Sequence, residues 1–167
     1  MMVRVLTCGS MALAALLIPV VHHPAPRLIW NASASVPIGL YRIERDSAPA
    51  VGELVAVRPS PPLARYMDAR RYVEAGVLLV KPIAATNGAT VCRRGLSVTI
   101  DNRAVATALP HDRLGRSLPV WAGCRRLGAN DLFLVAPAHK DSFDSRYFGL
   151  IESRQVVGRA VPLWTRP

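Results

Sequence analysis

Acidic residues are scarce in this 167-residue chain: 11 Asp and Glu stand against 21 Lys and Arg, for a formal net charge of +10 at pH 7. Such a balance would suit a nucleic-acid binder, because clustered cations neutralise phosphates. The clustering is missing. Basic residues come as scattered pairs, Arg70-Arg71, Arg93-Arg94 and Arg125-Arg126, without interleaved aromatics, zinc-ligand spacing or a nucleic-acid-binding motif. The charge therefore calls for no nucleic-acid partner, and a surface facing anionic lipid headgroups accommodates it as well. Aromatics are few, at 6%, yet 51% of the residues are hydrophobic, which excludes disorder. Only one apolar run approaches spanning length, which excludes a multi-span membrane protein. Repeats and low-complexity tracts are absent, and the length suits one domain with an appendage. The pair His22-His23 has no further ligands nearby, so neither a metal nor another cofactor is expected.

The apolar run is Val5 to Val21, VLTCGSMALAALLIPVV, uncharged and preceded by Arg4. It reads as an export segment, short for a span and equally suited to a signal-peptide core, so an anchor and a cleaved signal both remain open. No small-x-small pattern directly follows it, which favours an uncleaved anchor. The chain thus divides into residues 1–24, a membrane anchor or signal, and residues 25–167, a domain outside the cytoplasm, on the periplasmic face of a bacterial inner membrane or free in the periplasm after cleavage. Cys8 precedes most of the apolar run and is read as a small apolar residue, not a lipid-attachment site. Cys92 and Cys124 lie beyond it, where an oxidising compartment permits a disulfide. They are read as a pair whose closed loop would contribute roughly 3–4 kcal/mol, with two separate buried thiols as the alternative.

After the prolines at 24 and 26 the signals turn to strands. Residues 36–44, 53–58, 76–83, 132–136 and 156–163 are strand candidates, and 96–106 alternate about Asp101-Asn102 like a hairpin. The one helix expected covers 61–74, with proline at its start. Many short strands at close spacing predict a mainly β, folded-over or barrel-like sheet domain behind one N-terminal apolar helix.

Three segments carry chemistry. Residues 31–41, NASASVPIGLY, place Ser33 and Ser35 just after the expected membrane exit, which on its own describes countless solvated turns. Lys81 ends the apolar run Gly76-Val77-Leu78-Leu79-Val80 and precedes Pro82-Ile83-Ala84-Ala85. Lysine is rarely buried without a reason, and desolvation lowers its pKa until the amine can act as a base near neutral pH. A neutral lysine beside a serine hydroxyl can take its proton with no histidine present. A lysine snorkelling from a strand edge is the plainer reading of that segment alone. In Ser142-Phe143-Asp144-Ser145-Arg146-Tyr147-Phe148-Gly149 an extended backbone would put Ser142, Asp144 and Arg146 on one face. Because a free carboxylate would hold the lysine protonated, Asp144 is expected to be neutralised by Arg146, leaving Ser142 to orient the amine.

Together these segments resemble the three signature boxes of the type I signal peptidase family, in order and along most of the chain. The short Ser-x-Pro-x-Gly-Leu-Tyr form is most similar to its TraF branch, found in conjugative transfer systems. The resemblance implies a Ser-Lys dyad at Ser35 and Lys81, support from Ser142, Asp144 and Arg146, and an oxyanion hole of the Ser35 N–H and the Ser33 hydroxyl. Two departures separate the chain from the housekeeping enzymes. No Met follows Ser35, and Ala136-Pro137-Ala138-His139-Lys140 replaces the usual Gly-Asp-Asn-Arg lead. They point to a dedicated substrate, which the resemblance makes a membrane-held conjugative pilin precursor, trimmed or joined head to tail, in a type IV secretion apparatus. The competing expectation is a non-catalytic, membrane-tethered β scaffold of the same apparatus.

Overall fold

The computed structural model describes residues 27–45 and 49–166, so the expected export segment within 1–24 and Cys8 lie outside the described residues. Among the described residues there are eleven strands, two short α-helices and a 3-10 turn at Ser153–Gln155. In chain order they are β1 (Leu28–Asn31), β2 (Gly39–Glu44), β3 (Leu54–Val57), α1 (Pro61–Ala69), β4 (Leu79–Ala85), β5 (Thr90–Arg94) and β6 (Ser97–Ile100). The remainder are β7 (Arg103–Thr107), β8 (Gly123–Arg126), β9 (Asp131–Leu134), α2 (Ser145–Phe148), β10 (Ile151–Glu152) and β11 (Val156–Thr165). Seven strands form one sheet in the order β1-β2-β11-β3-β4-β9-β10, and four form a second, β7-β6-β5-β8. Every strand pairing is antiparallel. The mainly β expectation holds.

The centre of the large sheet is apolar on both faces. Val55, Val57 and Ile83 pack with Leu132, Leu134 and Ile151 on one side, while Ala56 and Val80 pack with Val36, Tyr41, Ile43 and Ala160 on the other. Alternate residues of a strand face opposite sides, so Lys81 stands in the row Leu79, Lys81, Ile83, Ala85, all buried, on the first of these faces. Its strand neighbour across the ladder is Val55. Gly39 lets β2 and β11 close: a Cβ there would lie 2.1 Å from the Trp164 carbonyl oxygen, so any other residue must push the strands apart.

Most expected elements appear, with shifted ends. The hairpin turns at Asp101 and Asn102, both with positive φ (46° and 65°), as a two-residue loop matched to strand twist requires. Residues 36–38 belong to the loop before β2, and the 76–83 segment becomes strand only at Leu79. The helix of 61–74 stops at Ala69. Arg71 adopts a left-handed φ of 56°, its N–H bonds Asp68 O (2.8 Å), and the Tyr72 N–H bonds Met67 O (2.9 Å). That pair of bonds is a Schellman closure, built here without glycine. Strands β1, β5, β8 and β10 were not expected. β8 is exposed along its length, which leaves it no alternation to read. Cys92 and Cys124 are directly opposite each other on β5 and β8 and form a disulfide.

Candidate active site

Two loops, those of Ser35 and Ser142, meet at Lys81 on β4. The Ser35 loop links β1 to β2 and is tied together by Asn31, a buried residue at the end of β1. The Asn31 amide donates to the carbonyls of Ser33 (2.8 Å), Val36 (3.2 Å) and Pro37 (3.1 Å), and its oxygen accepts from the Ser33 N–H (3.2 Å). The Tyr41 hydroxyl donates to the Pro37 carbonyl as well (2.5 Å). One side chain thus satisfies backbone groups that a seven-residue turn would otherwise leave unpaired. Asn31 and Tyr41 lie within the serine segment but were given no role from sequence; an asparagine just before a turn was the available signal.

Lys81 Nζ donates to Ser35 Oγ at 2.6 Å and to Ser142 Oγ at 3.0 Å. The side chain is 5% exposed. Both partners are neutral hydroxyls, so nothing in contact compensates the charge that burial strips of water. Burial is accordingly the main force on the amine, pushing its pKa from 10.5 down to about 8; Asp144 opposes the shift and Arg146 adds to it. Ser33 Oγ lies 2.8 Å from Ser35 Oγ, on the exposed side of the loop.

Asp144 opposes the shift less than burial drives it, and its own oxygens are engaged elsewhere. Its Oδ1 accepts from the Arg146 N–H (3.1 Å) and Nε (2.8 Å), and Oδ2 from Arg146 Nη2 (2.9 Å) and the Ala136 N–H (3.0 Å). Arg146 also reaches the carbonyls of Ala136 (2.8 Å) and His139 (3.3 Å). The expected pairing is present, although the segment is extended only to Asp144, which caps α2; Arg146 sits on the helical turn and folds back. A second buried arginine, Arg93, donates to the Arg146 carbonyl (2.6 Å), and the Ser145 hydroxyl accepts from the Leu134 N–H (2.9 Å). These hold the box against both sheets. Neither residue was singled out from sequence, since Arg93 sits in one of the scattered basic pairs.

The structure brings Ser33, Ser35, Lys81 and Ser142 together directly, with Asp144 and Arg146 behind Ser142. An open groove of about 1480 Å³ runs over them, walled by the end of α1, the 109–118 loop and residues 137–143. Among the described residues no cluster of three or more His, Cys, Asp or Glu could hold a metal ion.

A buried amine between two serine hydroxyls, under an open groove and carried by a β-sheet, is chemically able to take a hydroxyl proton without a histidine. The chain belongs to the signal peptidase, peptidase S26 family, whose profile matches residues 2–164. It is 32% identical to the "Probable conjugal transfer protein TraF" of Sinorhizobium fredii, over 81% of this chain and 76% of that protein. It is 33% identical to the "Conjugal transfer protein TraF" of Agrobacterium fabrum, over 81% of each. The crystal structure of a signal peptidase I from Enterococcus faecalis is similar over 68% of this chain and 97% of that one, at 19% identity and a TM-score of 0.40.

Proposed function

We propose that the chain is a membrane-associated serine endopeptidase of conjugative transfer that cuts an exported precursor, a pilin subunit, with Ser35 as nucleophile and Lys81 as general base. The observation that carries this is the 2.6 Å contact of Ser35 Oγ with a buried lysine whose only other hydrogen-bond partner among the described residues is Ser142. When Lys81 is neutral, the Ser35 hydroxyl donates to Nζ while an Nζ hydrogen stays on Ser142. Ser35 Oγ then attacks the peptide carbonyl carbon and its proton passes to Nζ. The oxyanion receives the Ser35 N–H and the Ser33 hydroxyl, which lies close enough to turn from Ser35 Oγ to the new oxygen. Collapse breaks the C–N bond, and Lys81 returns the proton to the leaving amine. The acyl-enzyme passes to water, or to an amine where the product is joined head to tail.

Family membership and the transfer-protein names of the relatives support this reading. A membrane position is supported by the surface at the β1 end of the large sheet, where the edge strand β1, which follows the apolar run in sequence, is joined through β2 to β11. There Trp30 stacks on Trp164 (5.8 Å between centroids) beside the exposed Leu28 and Leu163, with the Arg166 guanidinium 5.4 Å above Trp164. Indoles beside cations suit the headgroup zone of a bilayer. Among the described residues no helix is long and apolar enough to cross a membrane. The test is mass spectrometry of a co-expressed pilin precursor: wild type should yield the trimmed product and Ser35→Ala should leave it intact. Equal trimming by both would defeat the proposal.

A further inference from the structure

The groove is not electrostatically neutral. Its walls carry Arg70, Arg71, Arg113, Arg116 and Lys140 against only two carboxylates, Asp112 and Asp141. Both carboxylates are already engaged. Asp112 accepts from Arg116 Nε (2.7 Å), the Tyr72 hydroxyl and two loop N–H groups, with Arg70 3.8 Å away, and Asp141 accepts from Arg113 (2.7 Å). The protein's own acids therefore cannot silence the cations that remain. Arg71 is the clearest of these: it lines the groove, is exposed, and has no ion pair among the described residues.

Its backbone makes the case stronger. Arg71 occupies the left-handed position of the α1 closure, at φ 56°, where glycine has the lower conformational cost. An arginine thus stands at a position where glycine would cost the backbone less, and it lines the groove that crosses Ser35. Local rules broken without structural gain mark functional positions.

We propose that Arg71, with Lys140, selects substrates bearing a carboxylate side chain in the segment laid along the groove, so that the natural substrate is an acidic peptide near its cut point. This rests on the peptidase reading, but the binding step is separable from it. Exposed charge pairs are individually weak, so the expected preference is modest, roughly twofold to fivefold per carboxylate, and should shrink with salt.

The experiment uses the full chain as Ser35→Ala in detergent micelles. It measures by fluorescence anisotropy the binding of two labelled peptides that differ only in Glu against Gln at successive positions. The account expects at least one position where Glu binds roughly twofold or more tighter, a ratio that falls toward one at high salt. Arg71→Gly should reduce that ratio without lowering the melting temperature, since glycine suits the helix end, and Arg71→Glu should reduce it further. A ratio of one at all positions, or a preference unmoved by both Arg71 variants, would overturn the inference. Cleavage of the same peptides by wild type reports separately: Ser35-dependent cleavage without acidic preference leaves the peptidase standing, and acidic preference without cleavage leaves the groove assignment standing.

Discussion

The Lys81 corner, which ends on Ser142, and the Asp144–Arg146 clamp that begins two residues further along are both buried, yet they treat a cation in opposite ways. Arg146 is given a bidentate carboxylate and several carbonyls, so its charge is fully met. Lys81 is given two hydroxyls and a lining of apolar side chains, so its charge is a cost that only proton loss relieves. Removing one partner of a met buried pair strands the other, whereas removing an unmet charge relieves the fold. The clamp holds structure; the corner holds an amine that burial pushes toward its neutral form.

The largest expected effect lies at the corner. Ser35→Ala and Lys81→Arg should each lower kcat by about 10⁴-fold or more, as loss of a nucleophile or its base does, while circular dichroism stays native. Lys81→Arg is the sharper of the two, because a guanidinium keeps the charge and cannot release a proton in this range.

Stability should separate the two cations next. Arg146→Leu should cost about 3–5 kcal/mol in denaturant unfolding, because Asp144 is left charged and unpartnered inside. Lys81→Met should do the reverse. Since the folded pKa is about 8 and the ordinary one 10.5, burying the ammonium costs roughly 3 kcal/mol at and below neutral pH. The cost fades as pH rises from about 8 to 10.5, where the unfolded chain binds more protons than the folded one, so wild type gains stability over that window. Lys81→Met should therefore be more stable than wild type at pH 7, and the gap should narrow above pH 8. A variant less stable than wild type at pH 7 would break the comparison.

A staple outside both regions ranks beside them. Reducing the Cys92–Cys124 disulfide, which spans 32 residues, should lower stability by about 3–4 kcal/mol. Lys81 is on the other sheet, so non-reducing and reducing melts should differ more than peptide turnover does.

Asn31→Ala is the smallest in stability but still visible in rate. It removes four hydrogen bonds from the Ser35 loop and should cost about 1–3 kcal/mol, with kcat falling more than KM changes.

How much of this could be read beforehand follows from what kind of signal each residue leaves. Lys81 and the Asp144–Arg146 pair were legible because each breaks its surroundings, a lysine in an apolar strand and a charge pair in an aromatic loop; Ser35, in a segment that reads as an ordinary turn, stood out only beside them. The hairpin at Asp101-Asn102 was legible because only a few residues tolerate two positive φ values in succession. Arg93 and Asn31 were not assigned roles. Their partners are backbone carbonyls, which have no letter in the sequence. β8 was missed for a related reason: an edge strand exposed throughout has no buried face to impose alternation, and it is placed by its register and disulfide to β5. The early end of α1 was hidden because an arginine stands where a glycine would have announced it.

The central claim is that Lys81 acts as a neutral amine whose pKa is set by burial. The pH dependence of kcat/KM on a soluble peptide tests it most directly. The account predicts a rate that rises with pH along a single-group limb at about 8. Asp144→Asn should move that limb down, since the Asp144 charge favours the ammonium. A limb near the ordinary lysine value of about 10.4, or a profile that residual activity of a Lys81 variant reproduces, would contradict it.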